Sequence, residues 1–380
     1  GHAFSGKYKS LFISNRGTLE ARLAELEDAI AEVYASIFHP DPIEYRSERG
    51  LIDFQDQMWV IMQEVVGREA GGMLFPAFAG VAFSRCEMRW SPRIRHTDGM
   101  ARLVLGLGTR AVDRTVADYP VLVALEQPAL RSVQRPDEVY RYSQRDVDVV
   151  DLRENQFESL PLPGFMGRAG RGVPNMNRIF SLYRDRQILP MVGVLAQLDP
   201  DELVVTFDGL LRSSFPRDLK LMLDLLEEGL GEPVDVEFAH DGESFYMLQC
   251  RALSRGTSAQ RVEVPADVSE EKKVFTANRY VQMGQARDLE YVVLIDPRDY
   301  ETLKTREEMI RVARAVGVIN KTLPQRRFLL MGPGRWGSRG DIKLGVPVTY
   351  ADISRTSILV EIARQKGSYL PDVSFGTHFF

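Results

Sequence analysis

The stretch VDVEFAHDGESFYMLQCRAL, residues 234–253, limits the possible folds more than any other part of the chain. Two runs alternate with period two around Asp241 and Gly242, a dipeptide that favours a tight turn, so the stretch reads as a β-hairpin. Alternation puts Val234, Val236 and Phe238 on one face of the first strand and Asp235 and Glu237 on the other. On the return strand it groups Tyr246, Leu248 and Cys250 on one face and Phe245, Met247, Gln249 and Arg251 on the opposite one. The polar groups of both strands then converge on one surface. A carboxylate and an amide oxygen on adjacent strands suit a hard cation such as Mg²⁺, and an arginine beside them suits a phosphoryl group. The same residues also fit a solvated hairpin face with Arg251 paired to Glu237, because acids on exposed strands are common.

The chain carrying this hairpin has 380 residues, 44% of them hydrophobic, enough for two or three domains with a real core. Its net charge of -5 argues against a general nucleic-acid or membrane-surface protein, so neither is expected as a partner. Cys86 and Cys250 are the only cysteines, which provides neither a disulfide framework nor a metal cluster and fits a reducing cytoplasm. No apolar run approaches the ~20 residues of a membrane span, and no signal peptide opens the chain. Both ends look like cuts through ordered structure, so a piece of a longer protein is expected, with Gly1 and His2 native or left from a tag. The oligomeric state stays open.

Leu19, Leu23, Leu26, Ile30, Val33 and Ile37 predict an amphipathic helix capped by Thr18. MWVIMQEVVG (58–67) reads as a buried strand, followed by strands in FAGVAFSR and ARLVLGLG. Residues 151–177, rich in Pro, Gly and Arg, read as long loops. LPMVGVLAQL and ELVVTFDGLL, on either side of Asp199 and Pro200, are candidates to pair with each other. Leu219, Leu223, Leu226 and Leu230 mark a helix opened by Pro216 and closed by Gly231. Residues 254–273 are polar with little periodicity, which predicts a domain boundary there: a first region over 1–255, a linker over 256–273 and a small α/β domain over 274–380. In that last part strands are expected at VFTANRYVQMG and LEYVVLIDP. Thr305 and Glu308 form a capping box for a helix that Gly317 ends, and RRFLLMGPGRWGSRG reads as a strand running into a Gly-rich loop.

The hairpin resembles the end of the nucleotide-binding domain of phosphoenolpyruvate synthase and pyruvate phosphate dikinase, where the pattern is close to D-I-E-W followed by L-Q-x-R-P. The resemblance implies an α+β fold with an ATP-grasp-like domain, Mg²⁺ on Glu237 and Gln249, and Arg251 on phosphate in a catalytic role. Asp235 joins the expected nucleotide contacts. AFSGKYKSLF is similar to the family's S-F-A-G-Q-x-E-T-F segment, and AGVAFSR with LGLGTRAVD resembles S-G-V-x-F-T and W-G-L-G-E-x-V-V. VIMQEVV resembles V-V-V-Q-x-M-V, the hinge whose backbone reads adenine, which implies Gln63, Glu64, Val65 and Val66 as adenine contacts. The cofactors implied are ATP and Mg²⁺, with pyruvate or phosphoenolpyruvate handled by domains not seen here.

The departures are also informative. Ala252 replaces the family's Pro, and Thr109 and Arg110 stand where it has a Glu that touches ribose. The family's triphosphate-gripping Lys and Arg would lie upstream of residue 1, and no T-S-H-A phosphohistidine segment is recognisable. His378, in GTHFF, is read as structural or pocket-lining. MGPGRWGSRG offers an anion wrap through Arg335 and Arg339, or a glycine turn with solvated arginines and Trp336 in the core; the second is the reading adopted. The functional expectation is the ATP/Mg²⁺-binding portion of a phosphotransferase, inactive alone. A nucleotide-sensing module is the alternative, and an ATP-grasp ligase a third.

Overall fold

The computed structural model describes residues 8–48, 58–86, 88–91, 93–112, 119–191, 199–253, 267–277, 281–282, 285–337 and 345–362. The chain divides into two compact units: Gly1–Pro42, Asp53–Asp113 and Asp118–Ser254 in one, Ile43–Ile52, Arg114–Ala117 and Arg255–Phe380 in the other. Residues 256–273 fall in the second unit, and 256–266 of them lie outside the described residues.

In the first unit, helix α1 (Leu19–Ala35) starts where the Thr18 hydroxyl accepts the Ala21 amide at 3.3 Å. Strands β1 (Arg68–Ala70), β2 (Met73–Phe75), β3 (Phe78–Phe83), β4 (Met100–Val104), β5 (Val121–Ala124), β6 (Asp146–Asp151) and β7 (Gln156–Pro161) follow. Helix α2 (Leu162–Ala169) leads to β8 (Phe180–Arg184), β9 (Gln187–Pro190), β10 (Leu203–Val205) and helix α3 (Phe215–Leu230). The hairpin strands are β11 (Val234–His240) and β12 (Phe245–Ala252). They end a five-stranded antiparallel sheet ordered β12-β11-β3-β4-β5; β1-β2-β6-β7 and β9-β8-β10 form two smaller sheets.

Alternation divides the five-stranded sheet into two faces. Phe78 and Ala82, Ala101 and Leu103, and Val234, Val236 and Phe238 enter the main core with Leu219 and Leu223 of α3. Val234, Val236 and Phe238 are each at most 1% exposed, so each contributes roughly 1.5–3 kcal/mol by burial. That anchors the hairpin from one side and leaves Asp235 and Glu237 on its other face, beside a smaller apolar cluster of Ala79, Val81 and Ala239. Gly80 makes this packing possible: a Cβ there would lie 2.8 Å from the Phe238 ring and 2.2 Å from the Arg102 carbonyl oxygen.

Several sequence expectations need correction. Residues 58–67 form no strand; Trp59 and Ile61 are 86% and 73% exposed. An apolar run becomes a strand only beside a partner edge, and this one has no ladder. Residues 151–177 are not loops throughout, since β7 and α2 occupy much of them; Pro163 sits in the first turn of α2, where its missing N–H costs nothing. β9 and β10 do not pair with each other: Leu189 and Leu203 both face Leu182 of β8, and residues 192–198 lie outside the described residues.

The second unit holds β13 (Tyr291–Leu294), helix α4 (Arg306–Thr322), β14 (Phe328–Pro333) and β15 (Ile358–Ile362). The three strands make a parallel sheet in the order β13-β14-β15. Met309, Ala313 and Val316 of α4 share a core with Phe328, Leu330 and Trp336. The Thr305–Glu308 capping box is formed, but α4 continues through Gly317 to Thr322. A Cβ at Gly317 would meet Asp352 Oδ1 at 2.4 Å, so this glycine permits a close approach instead of ending the helix. Of the strand expected at 274–284, only Val281–Gln282 is strand; Val274 is 92% exposed, and 278–280 and 283–284 lie outside the described residues.

Candidate functional site

Across the hairpin Asp235 faces Arg251 and Glu237 faces Gln249. Arg251 Nε donates to both Asp235 oxygens, at 2.6 and 2.8 Å, and its Nη2 lies 3.7 Å from Glu237 Oε1. Asp235 is buried, while the Glu237 and Arg251 side chains keep 29% and 28% of their exposure, so they remain open to a ligand. Burial pushes the Asp235 carboxyl above the usual carboxylate range, against the pull of the Arg251 hydrogen bond and charge and of the Arg102 charge.

The hairpin is not regular. A β-bulge between Glu237 and Phe238 lets Phe238 pair with Met247 while Glu237 pairs with Gln249, leaving Leu248 as the extra residue. Leu248 therefore packs with Ala239 and Val81, on the face of Asp235 and Glu237, whereas Cys250 packs on the main core. Phe245 stacks on Phe238 at 5.2 Å. The grouping of Phe245 and Met247 with Gln249 and Arg251 is thus overturned, since strict alternation does not pass through a bulge. Gln249 and Arg251 lie beyond it and stay with the two acids.

The extra residue also receives a neighbour. Gln63 Nε2 donates to the Leu248 carbonyl at 3.0 Å, and Val66 packs on the Ala79, Val81 and Ala239 cluster. Gln63 and Glu64 are exposed, and Val65 and Val66 are half-buried. The stretch expected to read adenine is thus brought beside β12 as an irregular segment rather than as a strand.

Arg102 is absent from the sequence reading. Register places Gln249, Glu237, Val81 and Arg102 in one row across β12, β11, β3 and β4. Arg102 Cζ lies 5.2 Å from the centre of the Phe83 ring, on the same face. Alternation in ARLVLGLG separates Arg102 from the core residues Ala101 and Leu103, which was the available signal. Sharing a face with the hairpin acids depends on strand order and register, and neither is written locally.

Thr109 and Arg110, where the resembled pattern has Glu, turn onto a buried acid. The Thr109 hydroxyl donates to Asp148 Oδ2 at 2.6 Å, and Arg110 Nε donates to Oδ1 at 2.8 Å. Arg110 and Asp148 are both buried, and the Ser159 hydroxyl donates a third bond to the carboxylate, at Oδ1. This network ties the short helix Thr109–Val112 to β6.

In the second unit Trp336 is in the core at 1% exposed, as the turn reading expects. Arg335 is not solvated: it is buried, and burial pushes its pKa down while the Glu361 charge pulls it up. Gly332 faces the Trp336 ring and Gly345 the Arg335 carbonyl, so close packing accounts for both. Arg339 and His378 lie outside the described residues.

Among the described residues no three His, Cys, Asp or Glu side chains group as a metal cage, and no helix is long and apolar enough to cross a membrane. No curated protein matches the chain. The sequence does match the family described as pyruvate phosphate dikinase, AMP/ATP-binding domain, over residues 1–272. That match takes in every strand of the five-stranded sheet and both strands of the hairpin. The chain therefore belongs to the pyruvate phosphate dikinase AMP/ATP-binding domain family, an ATP-grasp-type fold.

Proposed function

We propose that the chain is the ATP/Mg²⁺-binding portion of a phosphotransferase of the phosphoenolpyruvate synthase or pyruvate phosphate dikinase type. The observation that carries this reading is the facing pair Glu237 and Gln249 with Arg251 beside it. A carboxylate and an amide oxygen are hard donors, and Mg²⁺ characteristically takes one or two protein oxygens and completes its shell with phosphate oxygens and water. When bound, the ion would neutralise phosphate charge. Arg251 would orient a phosphoryl group, with Asp235 fixing the guanidinium through two hydrogen bonds. Gln63 to Val66 would meet adenine beside β12, and residues 274–380 would form a separate small α/β domain.

Calorimetry with ATP, with and without Mg²⁺, tests the assignment. Glu237→Gln and Gln249→Ala are each expected to remove the Mg²⁺-dependent part of binding, with adenosine binding retained. Unchanged Mg²⁺ dependence in both variants would overturn it.

A further inference from the structure

We propose that Arg102 is a second polyphosphate contact of this site, facing Arg251 across the polar side of the sheet. The inference rests on the ATP-site reading and extends it to a residue that the hairpin pattern does not contain. Arg102 lies in register with Val81, which is in register with Glu237, so it stands two strands, ~10 Å, from the proposed metal ligand. Phe83, in the adjoining row with Asp235, places its ring 5.2 Å from the guanidinium carbon and holds that group on the face by a cation–π contact.

Charge balance points the same way. Among the described hairpin groups, Asp235 and Glu237 against Arg251 alone sum to a negative charge, which disfavours a polyanion. Arg102 brings the four groups to neutrality, and a polyphosphate crossing the face diagonally, from the Arg251–Asp235 row to the Glu237–Val81–Arg102 row, would meet a guanidinium at either end with Glu237 between. Arg251 already spends its Nε on Asp235, which makes a second cation more consequential.

The alternative is that Arg102 only balances the buried Asp235. Binding of ATP, inorganic tripolyphosphate and adenosine to the whole chain separates the two, using Arg102→Met, Arg102→Lys and the double variant Arg102→Met/Asp235→Asn. Thermal melts show which variants fold. Losing one charge-assisted contact is expected to weaken ATP and tripolyphosphate about tenfold or more, with adenosine unchanged and Arg102→Lys intermediate. Unaltered ATP affinity in Arg102→Met, equal losses for ATP and adenosine, or full rescue by Asp235→Asn would each overturn the proposal. Wild-type chain that binds no ATP would remove the site itself; wild-type binding that Arg102→Met leaves intact removes only this contact.

Discussion

The carboxylates Asp151 and Asp235 balance burial against hydrogen-bond donors with opposite outcomes. Asp151 Oδ1 accepts the amides of Arg153 and Glu154 at 2.8 and 3.3 Å, and Oδ2 accepts Arg168 Nη2 at 2.8 Å. Burial opposes its ionisation, but these bonds prevail and hold it at about 2. Asp235 has only the Arg251 hydrogen bonds and nearby charge, and there burial prevails. Mild acid should therefore loosen the Asp235–Arg251 pair before it reaches Asp151. For Asp151 the folded pKa lies below the unfolded value near ~3.9, so its stabilisation is complete above that pH and is lost as pH falls through about 2. Urea denaturation of Asp151→Asn is expected to give a lower midpoint at pH 5 and a smaller further loss between pH 4 and pH 2 than wild type. Parallel acid profiles for the two proteins would refute the linkage.

At the level of elements, Gly317 gives a test in which two effects oppose each other. Alanine in a helix interior normally gains ~1 kcal/mol over glycine, whereas overpacking a filled site costs ~1–3 kcal/mol. Asp352 cannot easily yield, because its Oδ2 accepts both the amide and the hydroxyl of Thr349 at 2.8 Å while Oδ1 faces Gly317. Gly317→Ala is therefore expected to lower stability by about 1 kcal/mol in chemical denaturation; a stabilised variant would mean that Asp352 moves freely. The same glycine marks the limit of what local sequence encodes. Caps and periodicity exposed Thr18, Thr305 with Glu308, Pro216 and Gly231, because each acts within one turn of its own helix. Gly317 looked like a helix end because its neighbour, Asp352, is remote in sequence. The hairpin was legible for the same local reason, and so was the expectation that Glu237, Gln249 and Arg251 converge on one face. Its bulge, the irregular path of residues 58–67 and the arrival of Arg102 all depend on which strand lies alongside, which no local pattern encodes.

At the scale of the molecule, binding a nucleotide and transferring its phosphoryl group make different demands, and the chain is proposed to meet only the first. Transfer depends on an acceptor held in line with the phosphate by several oriented contacts, and misplacement removes most of the advantage. The polar sheet face offers Glu237, Gln249, Arg251 and Arg102, none of them an acceptor of the histidine type. His240 is on the opposite face, stacked on Phe78 at 4.8 Å, with Nδ1 accepting the Gly242 amide at 2.9 Å. Burial pushes its pKa down, and packing keeps it in the turn. His39 is exposed just beyond the short helical turn Ser36–Phe38, and His96 opens the turn His96–Asp98; neither belongs to a strand of the sheet. A coupled assay for ATP-dependent consumption of pyruvate by the purified chain is therefore expected to give a flat trace while calorimetry still registers Mg²⁺-ATP. That combination would favour a nucleotide-sensing module or a part that works with other domains. Steady turnover abolished by Glu237→Gln would show instead that the chain supplies its own acceptor, and His378 would be the first residue to replace.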